Sequence, residues 1–290
     1  MRFLVFIFLS ISATILQAQD FIYSKSDSLF ITNILQKYKI EKETDNIILS
    51  IACEFLGHKY TAGTLERGSN EPLVISSSEV DCTTFVELVL AIYLSVRNGE
   101  KDFIAVCNNL EKIRYRDGKR NGYASRLHYM SQWIADKGKE GIIIESTHCA
   151  YSKKQKLDLD FMSRNPSSYK QLRNNPTLVR EIEKWEEPFR NIEVEYIPKE
   201  ELARPQEELP VKEGDIIVLT TNIEGLDVVH TGFAFWQNDK LHLLHASSIE
   251  EKVIKDERSL YDYQKSKKKQ TGIRVFSIVE NLQQKEAHHQ

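Results

Sequence analysis

Apolar positions along the chain change their period near its middle. Over residues 26–39, and again over 44–58, they recur at three- and four-residue intervals; Ile47, Ile48, Ile51, Ala52, Phe55 and Leu56 mark one face of the second stretch. This spacing predicts two helices, the second capped by Thr44-Asp45. Gly57 and Gly63 then frame a loop that carries Tyr60. The run from Leu88 to Leu94 is apolar and meets no Gly or Pro until Gly99, which predicts a buried helix from Cys82 to about Val96 with Asp81 as its N-cap. Further helices are predicted near 102–110, over 125–134 with Ser125 as cap, and near 177–187, where Trp185 is expected in the core. Residues 142–144 read as a short strand and 150–210 as charged and irregular.

After Pro210 the texture changes. Strands are predicted over 216–219, 228–236, 241–246, 252–254 and 273–278, separated by turn residues such as Glu213-Gly214-Asp215 and Asn238-Asp239. Helices followed by a meander make an α+β pattern, with N-terminal helices (about 25–190) packed against a C-terminal antiparallel sheet or barrel (about 211–280). No linker is rich enough to divide it, so residues 19–290 are expected to form one domain.

The first residues stand apart. Met1-Arg2 is followed by an apolar run to Leu16 and then Gln17-Ala18-Gln19, which reads as a secretory signal peptide ending at Ala18. The run is short for a membrane span, so a secreted, periplasmic protein with no span after processing is expected. A net charge of −3 and a pI near 6.3 exclude a basic nucleic-acid-binding surface. The one basic cluster, Lys265 to Lys269, reads as a solvated loop.

Four cysteines, Cys53, Cys82, Cys107 and Cys149, show no Cys-x-x-Cys spacing. Cys53 and Cys107 fall on apolar helix faces, where a buried free thiol is the ordinary reading. Cys82 is different, because it begins a helix. First-turn N–H groups have no helical partner and the macrodipole is positive there, which favours a thiolate and can stabilise an oxyanion. The plain alternative is a small core residue. Two histidines change the balance. With 228–236 as a strand, His230, Gly232 and Ala234 share one face. A hairpin closing at Asn238-Asp239 pairs residues whose numbers sum to 477, which sets Gly232 opposite His245 and makes His230 its diagonal neighbour, about 7 Å away between backbones. Cys82, His230 and His245 then form a nucleophile, a base and an orienter. A metal site would need a third ligand at short spacing, and His128, His148 and His242 offer none.

These stretches resemble a known family. Asp81-Cys82-Thr83-Thr84-Phe85-Val86, Glu213-Gly214-Asp215-Ile216-Ile217, His230-Thr231-Gly232-Phe233 and His245-Ala246-Ser247 are similar to the motifs of NlpC-type papain-like cell-wall hydrolases, in the same order. Thr84 stands where many members have Gly, and the intervals from Cys82 to His230 and on to His245 are longer than in compact members. Leu65-Glu66 and Arg126-Leu127-His128-Tyr129 with Trp133-Ile134 resemble the branch of secreted N-acetylmuramoyl-L-alanine amidases of Gram-negative bacteria. The resemblance implies a papain-like fold and cleavage of the amide between N-acetylmuramic acid and L-Ala of peptidoglycan fragments. It implies Cys82 as nucleophile, His230 as base, His245 as orienter, no metal and no cofactor. Tyr60, Arg126, His128 and Tyr129 become candidates for lining the substrate cleft, against a reading in which they pack or are solvated. The alternatives are a murein peptidase cutting D-Glu–diaminopimelate bonds and a muropeptide-binding module without catalysis.

Overall fold

The computed structural model describes residues 21–40, 46–66 and 71–279. The leader expected at 1–18 and the cap expected at Thr44-Asp45 lie outside the described residues. The helices are α1 (Lys25–Ile40), α2 (Ile47–Cys53), α3 (Cys82–Arg97), α4 (Phe103–Arg114), α5 (Met130–Lys139), α6 (Phe161–Arg164), α7 (Pro176–Glu186) and α8 (Leu260–Gln264). The strands are β1 (Phe21–Ile22), β2 (Lys59–Tyr60), β3 (Leu73–Val74), β4 (Glu79–Val80), β5 (Ile143–Glu145), β6 (Lys153–Leu157), β7 (Ile192–Pro198), β8 (Ile216–Thr221), β9 (Val228–Gln237), β10 (Lys240–Ser247), β11 (Lys252–Lys255) and β12 (Gln270–Ile278).

The fold is a mixed α+β arrangement built around α3. Residues 84–95 of α3 are buried on every side, as a helix that is apolar nearly all round requires. One side faces α1, α2 and α4. The other faces β9 and β10, where Phe85 meets Phe233 edge-on at 5.7 Å and Phe55 at the same spacing on the helical side. Behind the sheet a second apolar cluster gathers Ile217, Leu219, Ala234, Leu243, Leu260 and Ile273. A buried ion pair braces the helical side. Arg114 Nε donates to Glu87 Oε2 at 2.7 Å, and Arg114 Nη1 to the Val74 carbonyl at 2.7 Å.

The sheet runs β4-β2-β11-β10-β9-β8-β12-β7-β6, with β5 added beside β12. It is an open sheet and not a barrel. Its ends cannot pair, because β4 has only two residues while β6 is a solvated edge bearing Lys153, Lys154 and Lys156. Nor is it wholly antiparallel, since β2 and β4 run parallel. The β9–β10 hairpin has the expected register, with every paired number summing to 477. Asn238 and Asp239 take φ of 51° and 58°, the left-handed pair that a tight hairpin needs.

Several elements differ from the sequence reading. The region 150–210 contains β6, a charged edge strand with no apolar period, and β7 inside it, where Ile192, Val194 and Tyr196 alternate with Glu193 and Glu195. Ser125 caps no helix: Tyr123–Ser125 is a 3₁₀ turn, Arg126 and Tyr129 are extended, and α5 begins only at Met130. Trp185 is 40% exposed, with the Arg116 guanidinium 3.7 Å above its ring, and so lies outside the core. The four cysteines are free, with Cys107 fully buried. No helix among the described residues is long and apolar enough to cross a membrane.

Candidate active site

Asp81 sets the start of α3. Its side chain accepts the Thr84 N–H at 2.8 Å, and Thr84 Oγ1 accepts the Asp81 N–H at 2.8 Å, which closes a capping box. Thr84, the departure from the family pattern, is thus half of the cap. This lock delivers Cys82 to the first turn of α3, against β9. The Thr231 and Thr83 N–H groups both donate to its sulfur. Burial nevertheless pushes the thiol up to about 12, and the Asp81 charge adds to the rise. The helix terminus therefore does not yield a resting thiolate; loss of water around the sulfur outweighs it.

His230 stands on β9 next to Thr231. Burial, then His245 and Lys267, pushes its imidazole down to about 3, so it is neutral at ordinary pH. Thiol and imidazole together therefore rest as a neutral pair. His230 Nε2 lies 2.5 Å from His245 Nδ1, with the rings edge to face at 4.7 Å. His245 is wholly buried, and its Nε2 faces Asp256 Oδ2 at 3.4 Å. Tyr263 covers both histidines, stacked on His230 at 6.3 Å and edge-on to His245 at 5.7 Å. The basic cluster is not all solvated: Lys267 is half-buried with Nζ 3.2 Å over the Tyr263 ring, and burial lowers its ammonium to about 8.

Cys82 and His230 line one cavity of about 140 Å³, together with Thr83, Leu127, His128, Met130, Trp133, Leu226, Asp227 and Thr231. His128 thus reaches the cavity. Its Nε2–H donates to the Tyr123 carbonyl at 2.8 Å, and burial, helped by the Arg126 charge, holds it well below the usual imidazole range. Tyr60 sits on β2 beside Val80, close enough for the Cys82 and Asp81 charges to add to the rise that burial causes in its phenol. Arg126 and Tyr129 go elsewhere. Arg126 is buried against Glu66 at 2.9 Å and Glu71 at 3.1 Å, over the Tyr123 ring. Tyr129 donates its hydroxyl to Glu186 at 2.6 Å and accepts the Met162 N–H at 2.7 Å. Neither lines the cavity. Among the described residues no group of three His, Cys, Asp or Glu side chains could hold a metal ion.

Asp227 and Asp256 carry no signal in the sequence read alone. Asp227 is buried in the cavity wall and accepts the Ser131 N–H at 2.6 Å and the Val228 N–H at 2.8 Å, so it caps α5 from a distant part of the chain. Asp256 becomes visible only when the β10–β11 register, with His245 opposite Ile254, is known.

The family comparison and the solved amidases point the same way. The AmiA-like family, described as N-acetylmuramoyl-L-alanine amidase-like, matches residues 50–273. A solved N-acetylmuramoyl-L-alanine amidase from Bacteroides uniformis is 42% identical, with a TM-score of 0.74 over 80% of this chain and 98% of that one. A Bacteroides fragilis protein that carries a provisional xylanase name is 44% identical, with a TM-score of 0.74 over 79% of this chain and all of that one. A Legionella pneumophila protein at 23% identity shares the fold, with a TM-score of 0.64 over 86% of this chain and 94% of that one. No curated protein matches significantly. With the family match spanning well over half of the chain, this protein belongs to the AmiA-like, N-acetylmuramoyl-L-alanine amidase-like family of cell-wall hydrolases.

Proposed function

We propose that this chain is a cysteine-dependent N-acetylmuramoyl-L-alanine amidase of the NlpC, papain-like type, acting on peptidoglycan fragments. One observation carries the reading: Cys82 and His230 line the same cavity, with the Thr231 N–H on the sulfur and His245 behind His230. The resting pair is neutral, so the thiol proton moves to His230 as the sulfur attacks the carbonyl carbon of the muramic lactyl group. The oxyanion formed is met by N–H groups at the first turn of α3, the Cys82 N–H among them. Collapse breaks the C–N bond, and the imidazolium of His230 returns its proton to the departing L-Ala nitrogen. A thioester remains. Water then attacks it and gives a proton to His230; the C–S bond breaks, the sulfur regains its proton, and the lactyl carboxylic acid is released.

The cavity favours the amidase over a peptidase that grips a free L-Ala ammonium. Such a pocket needs an uncompensated anion. Asp227 is the acid in the wall, and its two oxygens already accept backbone N–H groups. His128 supplies a flat polar-edged wall of the kind a sugar face packs on. Mass spectrometry of products from defined muropeptides tests the reading. An intact stem peptide plus a peptide-free sugar is expected, and Cys82→Ala should produce neither while staying folded. Sugar still attached to L-Ala–D-Glu would mean a peptidase. No product from the folded native protein would mean a binding module. The leader would direct the chain to the periplasm, which cell fractionation would check.

A further inference from the structure

Asp256 ends a line of polar atoms that begins at the cavity. β11 runs antiparallel to β10 with His245 opposite Ile254, so the period of two puts Asp256 on the face of His245, one step along the ladder. The Asp256 N–H donates to the Leu243 carbonyl at 3.0 Å, which fixes its backbone. Its side chain is 4% exposed, and Oδ2 faces the buried His245 Nε2 at 3.4 Å. Arg258 holds the carboxylate from the other side. Its backbone N–H and Nε donate to Oδ1 at 2.9 Å each, and Nη2 donates to Oδ2 at 2.7 Å. The carboxylate cannot turn without losing three bonds. Burial opposes its charge, but the His245 and Arg258 contacts outweigh burial and keep it ionised.

With His245 neutral, proton accounting along this line has one solution. A carboxylate only accepts, so His245 Nε2 presents its proton to Asp256. A neutral imidazole carries one N–H, which leaves His245 Nδ1 as an acceptor. His230 Nε2, at 2.5 Å, must then be the donor. His230 Nδ1 keeps the lone pair.

We propose that Asp256, clamped by Arg258, is a positioning residue that sets the tautomers of His245 and His230 and so leaves His230 Nδ1 as the base for Cys82. This rests on the cysteine-hydrolase reading and adds to it a group that never touches substrate. The other titratable or charged groups around the line are Tyr263 and Lys267 over the histidines, Cys82 on α3, and His242, whose Nδ1–H donates to the Asp256 carbonyl at 3.0 Å.

Asp256→Asn tests the role with little change of shape. The Asn oxygen keeps the two bonds from the Arg258 N–H and Nε and gives up the one from Nη2, which turns its NH₂ toward His245 Nε2. That donor reverses every proton on the line, giving His245 Nδ1–H and His230 Nδ1–H and removing the base. In a Ser-His-Asp triad the corresponding change costs about 10⁴ in kcat through the wrong tautomer. Here, one imidazole further away, kcat should fall at least about 100-fold with KM within about threefold. Nitrogen-15 NMR of histidine-labelled full-length protein at neutral pH gives the independent readout. Both histidines should be Nε2–H tautomers in the native protein and Nδ1–H tautomers in Asp256→Asn. A native Nδ1–H tautomer on either histidine overturns the proposal, and this holds whether or not the variant folds. A folded Asp256→Asn with kcat within about tenfold of native overturns it as well. Inactive Cys82→Ala with native Nδ1–H tautomers would remove the positioning role alone. Active Cys82→Ala with native Nε2–H tautomers would remove the cysteine reading alone.

Discussion

Gly232 sits between the two histidines, and adding one methyl group there should separate them. A Cβ at Gly232 would lie 2.6 Å from the Leu244 carbonyl oxygen, 2.8 Å from His245 Cβ and 3.0 Å from Leu243 Cγ. Two of these atoms are anchored in β10 close to its backbone, so no rotamer change relieves them. Ordinary contact begins near 3.4 Å, so β10 must retreat from β9 by about 0.8 Å at this point. Transferred to the His230–His245 pair, that shift stretches the 2.5 Å contact to about 3.3 Å, a much weaker hydrogen bond. Overpacking of this kind costs about 1–3 kcal/mol, and misplacement of a catalytic group by about 1 Å can cost about 10² in rate. Gly232→Ala is therefore expected to lower Tm by about 2–10 °C and kcat by about 100-fold. Product formation from a muropeptide, scored by mass spectrometry, and thermal unfolding measure the two effects. Gly272→Ala is the control, since its Cβ would collide with the Ile197 carbonyl of β7, on the side of β12 away from the histidines. It should lose stability and keep its kcat at temperatures where it is folded. Native kcat in a destabilised Gly232→Ala would show that histidine spacing does not limit the reaction. An unchanged Tm would refute the packing argument itself.

His245 should be more replaceable than His230: His245→Asn is expected to keep more activity than His230→Asn, and equal losses in two folded variants would contradict the assignment of base and orienter. The pH profile of kcat/KM should lack an acid limb in the usual histidine range. Protonation removes the base, and the His230 imidazole, pushed down to about 3, gains its proton only in strong acid, so activity should persist well below pH 6 until the fold fails. A limb near 6.5 would mean that His230 is solvated in the working enzyme. Arg114→Met leaves Glu87 buried without its partner and should destabilise by about 3–5 kcal/mol in chemical denaturation, whereas a change under about 1 kcal/mol would place the pair in water.

Much of the site could be read before folding because its determinants are local or strictly periodic. The Asp81 cap and the apolar run behind it define α3 within one stretch of chain. The His230–His245 juxtaposition needs only strand alternation and a turn at Asn238-Asp239. What the sequence hides are partners brought from afar. The cap of α5 is Asp227, 96 residues from the Ser131 N–H it accepts, so the apolar period pointed instead to Ser125. Arg126 and Tyr129 look like cleft residues until Glu66, Glu71 and Glu186 take up their polar ends. β6 escapes because an edge strand made of Lys and Gln up to Leu157 has no apolar face to announce it, and β7, whose Ile192, Val194 and Tyr196 do alternate with Glu193 and Glu195, is passed over as one short run in a charged stretch. The Cys82 thiol departs from its expected thiolate character for an energetic reason: the local sequence shows a helix terminus and hides the desolvation that outweighs it.

That neutral thiol bears on how long such an enzyme lasts. With the thiol at about 12, only about one molecule in 10⁵ carries a thiolate at pH 7, and oxidants and alkylating reagents attack the thiolate. A low-pKa cysteine pair would be armed continuously and would be spent by peroxide or by stray disulfides. On the proposed mechanism the nucleophile is discharged at rest and is generated only while an acyl group sits against it. The arrangement gives up some intrinsic reactivity for chemical durability of the sulfur.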